Sequence, residues 1–229
     1  MVALNFDRLR PTALLNLNEV AELRGYTRDN GQLRLGAGLT YAEAMEHELA
    51  ELLPALAEAS RTVGSPQIRN RGTIGGNLGT ASPAGDALPP LLIEGAEVEC
   101  ASVRGVRRVA LEEFVTGVKR NVLAPDELVT AVVVEPSGAR QTFMKIGPRN
   151  SMVIAVVSLA VSAGDALRAS FGSASPRPVV VRAPRDEADS FAERVAAAAV
   201  PIDDVRGTAA YRRHALAVLT QRALERCTA

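Results

Sequence analysis

The sequence is poor in several residue types, and each shortage excludes a class of protein. Tryptophan is absent and aromatic residues make up 3% of the chain, so its hydrophobic core must be built from Leu, Val, Ile and Ala. Basic and acidic residues balance at 26 each, which argues against a basic surface that binds nucleic acid. No apolar run reaches the roughly 18 residues of a membrane span, and no secretory signal pattern opens the chain. We therefore expect a cytoplasmic protein with no membrane span and no nucleic-acid partner.

Side chains that hold metals are also scarce. The two cysteines, Cys100 and Cys227, form no CxxC pair, so neither a metal site nor a disulfide framework is indicated. We expect Cys100 to be buried in a strand and Cys227 to lie loosely near the C terminus. His47 and His214 fall on predicted helices among polar neighbours, where surface histidines are expected. A reduced chain without a metal site fits these features best.

Hydrophobic patterning predicts alternating strands and helices in the first part of the chain. Strands are predicted at 12–18 (TALLNLN), at 32–40 with Leu33 and Leu35 on one side, at 98–103 and at 126–136. Thr40 and Glu43 have the spacing of a capping box, which predicts a helix that starts at Tyr41. A second helix is predicted from about Glu51 to Gly64, and the segment ALPPLLIE is a third.

The second part of the chain predicts three strands followed by helices. RQTFMKIG, MVIAVVSLAVSAG and ALRASFGSAS are strand-like, and Gly164 with Asp165 between the last two indicates an antiparallel hairpin. Helices are predicted at 190–199 and 208–226. This order of elements predicts an α+β fold in two units, residues 1–137 and residues 138–229.

The most informative stretch is RNRGTIGGNLGTASPAGD, residues 69–86. Four glycines fall within the eight residues from Gly72 to Gly79. Backbone without side chains can approach a ligand closely, and successive N–H groups can form a concave anion site. Thr73 and Asn77 add donors, and Asp86 offers an acceptor for hydroxyls of a ribose or ribityl chain. From the residues alone, the stretch is either a flexible turn or a cradle for a phosphate-bearing cofactor.

Common nucleotide and hydrolase motifs do not fit the sequence. The spacing of GTIGGN differs from GxGxxG and no GK[ST] ending follows, so a Rossmann nicotinamide domain and a P-loop nucleotidase are both poor fits. No Ser-His-Asp set can be defended from spacing, and we assign no catalytic residue. Lys145 and Arg149 are either a solvated pair at a strand end or part of a site. Arg212 and Arg213 are expected on a solvated helix face.

The motif TIGGN followed by ASPxxD resembles the second flavin-binding segment in the FAD-binding subunit of molybdenum hydroxylases. This family includes the medium subunit of carbon monoxide dehydrogenase and the flavin domain of xanthine dehydrogenase. The likeness extends to LRLGAGLTYAEA before the motif, and to FMKIGPRNSMVIAVVSLAV and RGTAAYRRHALAVLTQRALER after it. It implies a truncated FAD-binding domain of the vanillyl-alcohol-oxidase type, followed by a C-terminal domain with a three-stranded antiparallel sheet and helices.

The resemblance also implies a cofactor, FAD, and the residues that contact it. Carried over onto this sequence, the contacts are Thr73, Ile74, Gly75, Gly76 and Asn77 at the diphosphate, Asp86 at a sugar or ribityl hydroxyl, Val129 near the adenine or flavin ring, and Lys145 close to the flavin.

The same resemblance implies partner subunits and a reaction. A molybdopterin-binding large subunit and a 2Fe-2S small subunit are the expected partners, and electrons would pass from iron–sulfur clusters through FAD to NAD or another acceptor. Family members carry an earlier glycine-rich loop of the type AGGxD/S, whereas this sequence has MVALNF where the residues after that loop would fall. We therefore expect the first flavin-binding unit to be largely missing. The alternative is a homologue without flavin that acts as an interaction or structural subunit.

Overall fold

The computed structural model describes residues 10–150 and 152–228. The prediction made for MVALNF lies outside these residues. Their α-helices are α1 (His47–Leu52), α2 (Pro54–Thr62), α3 (Pro66–Arg69), α4 (Ile74–Thr80), α5 (Leu88–Ile93), α6 (Leu111–Phe114), α7 (Ala188–Ala198) and α8 (Ala209–Thr228). Their strands are β1 (Tyr26–Asp29), β2 (Gln32–Gly36), β3 (Glu97–Ser102), β4 (Gly105–Ala110), β5 (Val115–Gly117), β6 (Arg120–Asn121), β7 (Leu128–Val134), β8 (Arg140–Ile146), β9 (Val157–Ala163), β10 (Ala166–Gly172) and β11 (Val180–Pro184). None of these helices is both long and apolar enough to cross a bilayer.

The first sheet has five strands in the order β1–β2–β7–β3–β4, and each neighbouring pair is antiparallel. The alternation predicted for β2 is present, since Leu33 and Leu35 are buried while Arg34 is partly exposed. Val132 and Val134 on the central strand β7 join the same core. Helix α4, which starts in the glycine-rich stretch, packs against β7. The sheet therefore fixes the position of that stretch.

The second sheet has four strands in the order β11–β10–β9–β8. The three predicted strands form it, and β9 is buried at every position. The fourth strand, β11, extends the sheet by pairing Ala183 with Leu167. Its short run VVVRAP was missed because prolines flank it, and prolines are typical of loops. Helices α7 and α8 pack on this sheet and complete a second core.

The predicted strand at 12–18 is wrong. The segment adopts no regular structure, and Leu14 and Leu15 are 73% and 79% exposed. A strand needs neighbouring backbone groups to complete its hydrogen bonds, which an apolar alternation alone does not supply. The edge of the first sheet is instead β1, joined to β2 through Asn30 and Gly31, both with positive φ. That Asn-Gly pair is the hairpin signal that the sequence reading missed.

The capping box at Thr40 forms as predicted. The Thr40 amide donates to Glu43 Oε2 at 2.7 Å, and the Glu43 amide donates to Thr40 Oγ1 at 3.2 Å. The turn that follows is a short 3-10 helix, Glu43–Met45, and the α-helix begins only at His47.

Two side chains expected to be solvated or loosely held near the C terminus are buried. Arg212 is 1% exposed, donates to the Val156 carbonyl at 2.7 Å and pairs with Asp204 at 2.6 Å. Cys227 is 3% exposed within the second core. The predictions of a solvated Arg212 and a loose Cys227 are wrong because α8 packs on both β9 and α7. Arg213 is exposed as expected.

Two carboxylates join the first half of the chain to the second. Glu58 on α2 accepts the Phe143 amide of β8 at 2.7 Å. Glu94, at the end of α5, accepts the Ser137 amide and the Gln141 side chain, each at 2.6 Å. The last strand of the first sheet, β7, ends at Val134, and the first strand of the second sheet, β8, begins at Arg140. The division of the chain at 137/138 stays a prediction.

Candidate functional site

Helix α4 begins inside the glycine-rich stretch because Thr73 caps it. The Thr73 hydroxyl accepts a hydrogen bond from the Gly76 amide at 3.0 Å, as threonine commonly does at a helix N-cap. The helix ends at Ala81, which has a left-handed backbone with φ of 47°. Its sequence, IGGNLGT, is a poor helix former, so capping and packing hold it rather than intrinsic propensity.

The first amides of α4 already have acceptors within the protein. The Ile74 amide donates to the Leu39 carbonyl at 2.9 Å, and the Gly75 amide donates to the Ala37 carbonyl at 2.8 Å. The Gly76 amide is taken by Thr73. The structure therefore does not show the open array of N–H groups that the cradle interpretation required, and ligand contacts here must come from side chains or from bare backbone surface.

The glycines of α4 serve two different purposes. A Cβ on Gly75 would lie 2.5 Å from the Ala37 Cβ, so this glycine permits close packing against the segment after β2. Gly76 and Gly79 are exposed, and a Cβ on Gly79 would meet nothing within 4 Å. Ile74 is fully buried in the first core. The helix is thus anchored on one side and bare on the other.

Asp86 and Lys145 form a buried ion pair between the glycine-rich stretch and β8. Lys145 Nζ lies 2.6 Å from Asp86 Oδ2, and the two side chains are 7% and 8% exposed. Burial raises the pKa of Asp86 above its usual value, while the charge and hydrogen bond of Lys145 act in the opposite direction. Asp86 Oδ1 is buried without a hydrogen-bond partner. The solvated-pair interpretation of Lys145 is wrong, and the carboxylate keeps one unused acceptor.

Asn77 presents a second unused acceptor. Its Oδ1 is buried and has no partner. A Cβ on Gly85 would lie 2.7 Å from that oxygen, so the amide occupies the space left by this glycine. Asn77 on α4 therefore packs against the residue that precedes Asp86.

Tyr41 is a member of this site that the sequence reading missed. It is 5% exposed, and two of its ring carbons lie 3.1 Å from the Cβ position of Gly72. Burial raises the pKa of its phenol above the usual value, the Asp86 carboxylate adds to the rise, and the Asn77 amide acts against it. Its place after the capping box predicted a helix start and gave no signal of a ring packed against Gly72.

The remaining predicted residue, Val129, lies on β7 opposite Cys100. It is partly buried against the first core.

An open hollow of about 520 Å³ lies beside Lys145 and is also lined by Thr62, Asn150 and Val153. Among residues 10–150 and 152–228, no group of three or more His, Cys, Asp or Glu could hold a metal ion.

The chain is similar to known proteins along most of its length. Residues 1–136 match the family model described as FAD binding domain in molybdopterin dehydrogenase. The chain is 35% identical to the nicotinate dehydrogenase FAD-subunit of Eubacterium barkeri, over 69% of this chain and 56% of that one. It is 30% identical to the carbon monoxide dehydrogenase medium chain of Afipia carboxidovorans, over 96% of this chain and 82% of that one.

The fold is also similar to a solved structure. A cyanide-inactivated Cu,Mo-CO dehydrogenase contains a chain that superposes with a TM-score of 0.90 and 25% identity. The match covers 99% of this chain and 85% of that chain. The present chain thus spans little more than half of the nicotinate dehydrogenase relative and most of the carbon monoxide dehydrogenase chains.

Proposed function

The chain belongs to the family of FAD-binding domains in molybdopterin dehydrogenases, and on that premise we propose that it is the FAD-binding subunit of a molybdenum-containing hydroxylase. FAD is the cofactor of the family. The observation that carries the proposal is the buried Asp86 carboxylate, whose Oδ1 has no partner and which follows Gly85, the residue against which Asn77 of α4 packs.

The residues present fit FAD at this place. Asn77 and Asp86 supply buried acceptors, which a hydroxyl-bearing cofactor can satisfy and an apolar ligand cannot. The bare surface of α4 at Gly76 allows a diphosphate to approach the backbone. We assign residues 73–77 to the diphosphate, with Ile74 acting by anchoring α4, and Asp86 to a sugar or ribityl hydroxyl.

Lys145 and Val129 complete the proposed contacts. Lys145 is paired with Asp86 and also lines the hollow described above. Its positive charge would therefore lie close to a flavin bound in that hollow. Val129 would lie near the adenine or flavin ring. When bound, FAD supplies the redox chemistry, because its ring system accepts and releases electrons. This chain's residues would bind and orient the cofactor.

The proposed assembly follows from family membership. We propose a molybdopterin-binding large subunit and a 2Fe-2S small subunit as partners, with electrons reaching NAD or another acceptor. The relatives are named as an FAD-subunit and a medium chain of dehydrogenases, which supports a role that requires partners. A cytoplasmic location stays a prediction.

Titration of the purified chain with FAD tests the proposal. We expect bound flavin absorbance in the wild-type chain and at least tenfold weaker binding by Asp86→Asn, since hydrogen bonds to charged groups contribute about 1.5–3 kcal/mol. Asp29→Asn, on exposed β1, is the matched control and should bind as the wild type does. A wild-type chain that retains no flavin after incubation with excess FAD and removal of the unbound cofactor contradicts the proposal and favours the interaction subunit without flavin.

A further inference from the structure

We propose that Tyr41 is a further binding residue of this site and that its phenol donates a hydrogen bond to a hydroxyl of the cofactor's polyol or sugar chain. The inference rests on the proposed function. It follows from the position of the ring against the glycine-rich stretch, from the unused acceptors in that stretch and from the chemistry of a hydroxyl group.

The position of Tyr41 is fixed by the glycine-rich stretch. Its amide donates to the Gly72 carbonyl at 3.1 Å, and the neighbouring Thr40 forms a bridge with Thr73. Its ring lies against Gly72, where any larger residue would meet the ring carbons. The phenol is therefore held beside α4 by backbone and packing contacts rather than by a flexible loop.

Two side chains of the glycine-rich stretch lack donors. Asn77 Oδ1 and Asp86 Oδ1 are both buried acceptors without partners, and Lys145 is already bound to the other oxygen of Asp86. A ligand hydroxyl can donate to one of these oxygens and still accept from another group. The phenol of Tyr41 is such a group, because a tyrosine hydroxyl is protonated at neutral pH and carries one donor. Burial and the Asp86 charge raise its pKa further.

FAD offers this chemistry in two places, the ribityl chain and the ribose of the adenosine half. Both are chains of vicinal hydroxyls, and each hydroxyl combines one donor with acceptor capacity. Fragments of the cofactor separate the two sources. Riboflavin carries the ribityl chain, lumiflavin has the same ring without it, and ADP carries the ribose.

The test compares Tyr41→Phe with the wild-type chain. The variant keeps the ring against Gly72 and removes only the hydroxyl, so we expect FAD to bind about tenfold more weakly with an unchanged thermal midpoint. Tyr211→Phe, at a tyrosine 47% exposed on α8, is the matched control and should leave FAD affinity unchanged. Because the chain has no tryptophan and three tyrosines, quenching of tyrosine emission by FAD also reports on Tyr41, and Tyr41→Phe should lose the largest part of it.

The fragments decide which hydroxyls are involved. A loss of affinity for riboflavin but not for lumiflavin or ADP supports the ribityl chain, and a loss for ADP alone supports the ribose. Equal FAD affinity in both proteins overturns the inference while leaving the proposed function intact. An equal loss for lumiflavin and riboflavin also overturns it, since the effect is then on the ring. Failure of the wild-type chain to bind FAD and every fragment overturns both proposals.

Discussion

Asp86 and Lys145 show how a pair of charges is kept inside this protein. Both side chains are almost fully buried, and their charged atoms lie 2.6 Å apart. Removing two charges from water is costly, and the attraction between them offsets that cost only while both are present. The raised pKa of Asp86 shows that burial outweighs the lysine for this carboxyl.

Lys145→Met should therefore make stability depend on pH. Without the cation, the pKa of Asp86 in the folded state rises further above its unfolded value of about 3.9. The folded state then binds the proton more tightly, so the free energy of unfolding falls as pH rises above about 4. Urea unfolding between about pH 4 and 8 should show that the unfolding free energy of the variant is lower than that of the wild type, by a difference that grows to about 3 kcal/mol near neutrality.

The double variant Lys145→Met/Asp86→Asn is the control for this measurement. It has no titrating carboxyl at the site, so it should lack the loss of stability that the single variant shows as pH rises above about 4. A single variant whose unfolding free energy follows the same pH dependence as that of the double variant would show that the Asp86 proton is not involved.

The sequence predicts the identity of these residues better than their contacts. TIGGN and ASPxxD point to Asp86, and the likeness of FMK points to Lys145. Their pairing spans 59 positions, and no local pattern relates residues so far apart. Tyr41 was missed for the same reason, because Gly72, which contacts its ring and its amide, lies 31 positions further along the chain.

At the scale of elements, α4 is held by its contact with the segment after β2. The Gly75 amide bonds to the Ala37 carbonyl, and the helix approaches so closely that a methyl group has no room. The sequence shows the glycines but not which of them face the core. Gly75 and Gly79 look alike in the motif, and only the packed structure separates them.

Gly75→Ala and Gly79→Ala form a matched pair that tests this packing. Alanine at Gly75 should cost about 2 kcal/mol of unfolding free energy, because its Cβ overlaps the Ala37 backbone and side chain. Alanine at Gly79 should stabilise the chain by about 0.5 kcal/mol, since it raises helix propensity in open space. Denaturant unfolding measures both, and equal effects at the two positions would show that the close contact with Ala37 does not distinguish them.

Elements with strong local signals were predictable, and those that depend on partners were not. The capping box at Thr40 and the apolar run of β9 are local signals, and both are confirmed. The alternation at 12–18 looked equally strand-like, yet it meets no neighbouring strand. Strand β11 carries a weak signal and forms because β10 offers it an edge.

At the scale of the whole molecule, Glu58 on α2 joins the first half of the chain to the second. Besides the Phe143 amide, its carboxylate accepts the Thr142 hydroxyl at 2.9 Å and pairs with Arg226 on α8 at 2.9 Å. One side chain on α2 thus contacts two elements of the second half of the chain. Because Lys145 lies on β8 as well, these contacts of Glu58 also help to fix the position of Lys145.

Glu58→Ala should weaken the contact of α2 with β8 and α8. We expect a loss of about 2 kcal/mol in unfolding free energy, because the Phe143 amide loses its charged acceptor. The matched control is Glu51→Ala on α1, whose side chain is 68% exposed and whose loss should change stability by no more than about 0.5 kcal/mol. Hydrogen exchange of the Phe143 amide should accelerate in the first variant alone, and unchanged exchange there would contradict the role of Glu58.

The most direct test of the central claim is a structure of this chain with FAD bound. We expect cofactor hydroxyls on Asp86 Oδ1 and Asn77 Oδ1, the diphosphate over the bare face of α4, and the flavin beside Lys145. FAD bound elsewhere on the chain, with both oxygens still lacking a cofactor partner, would contradict it.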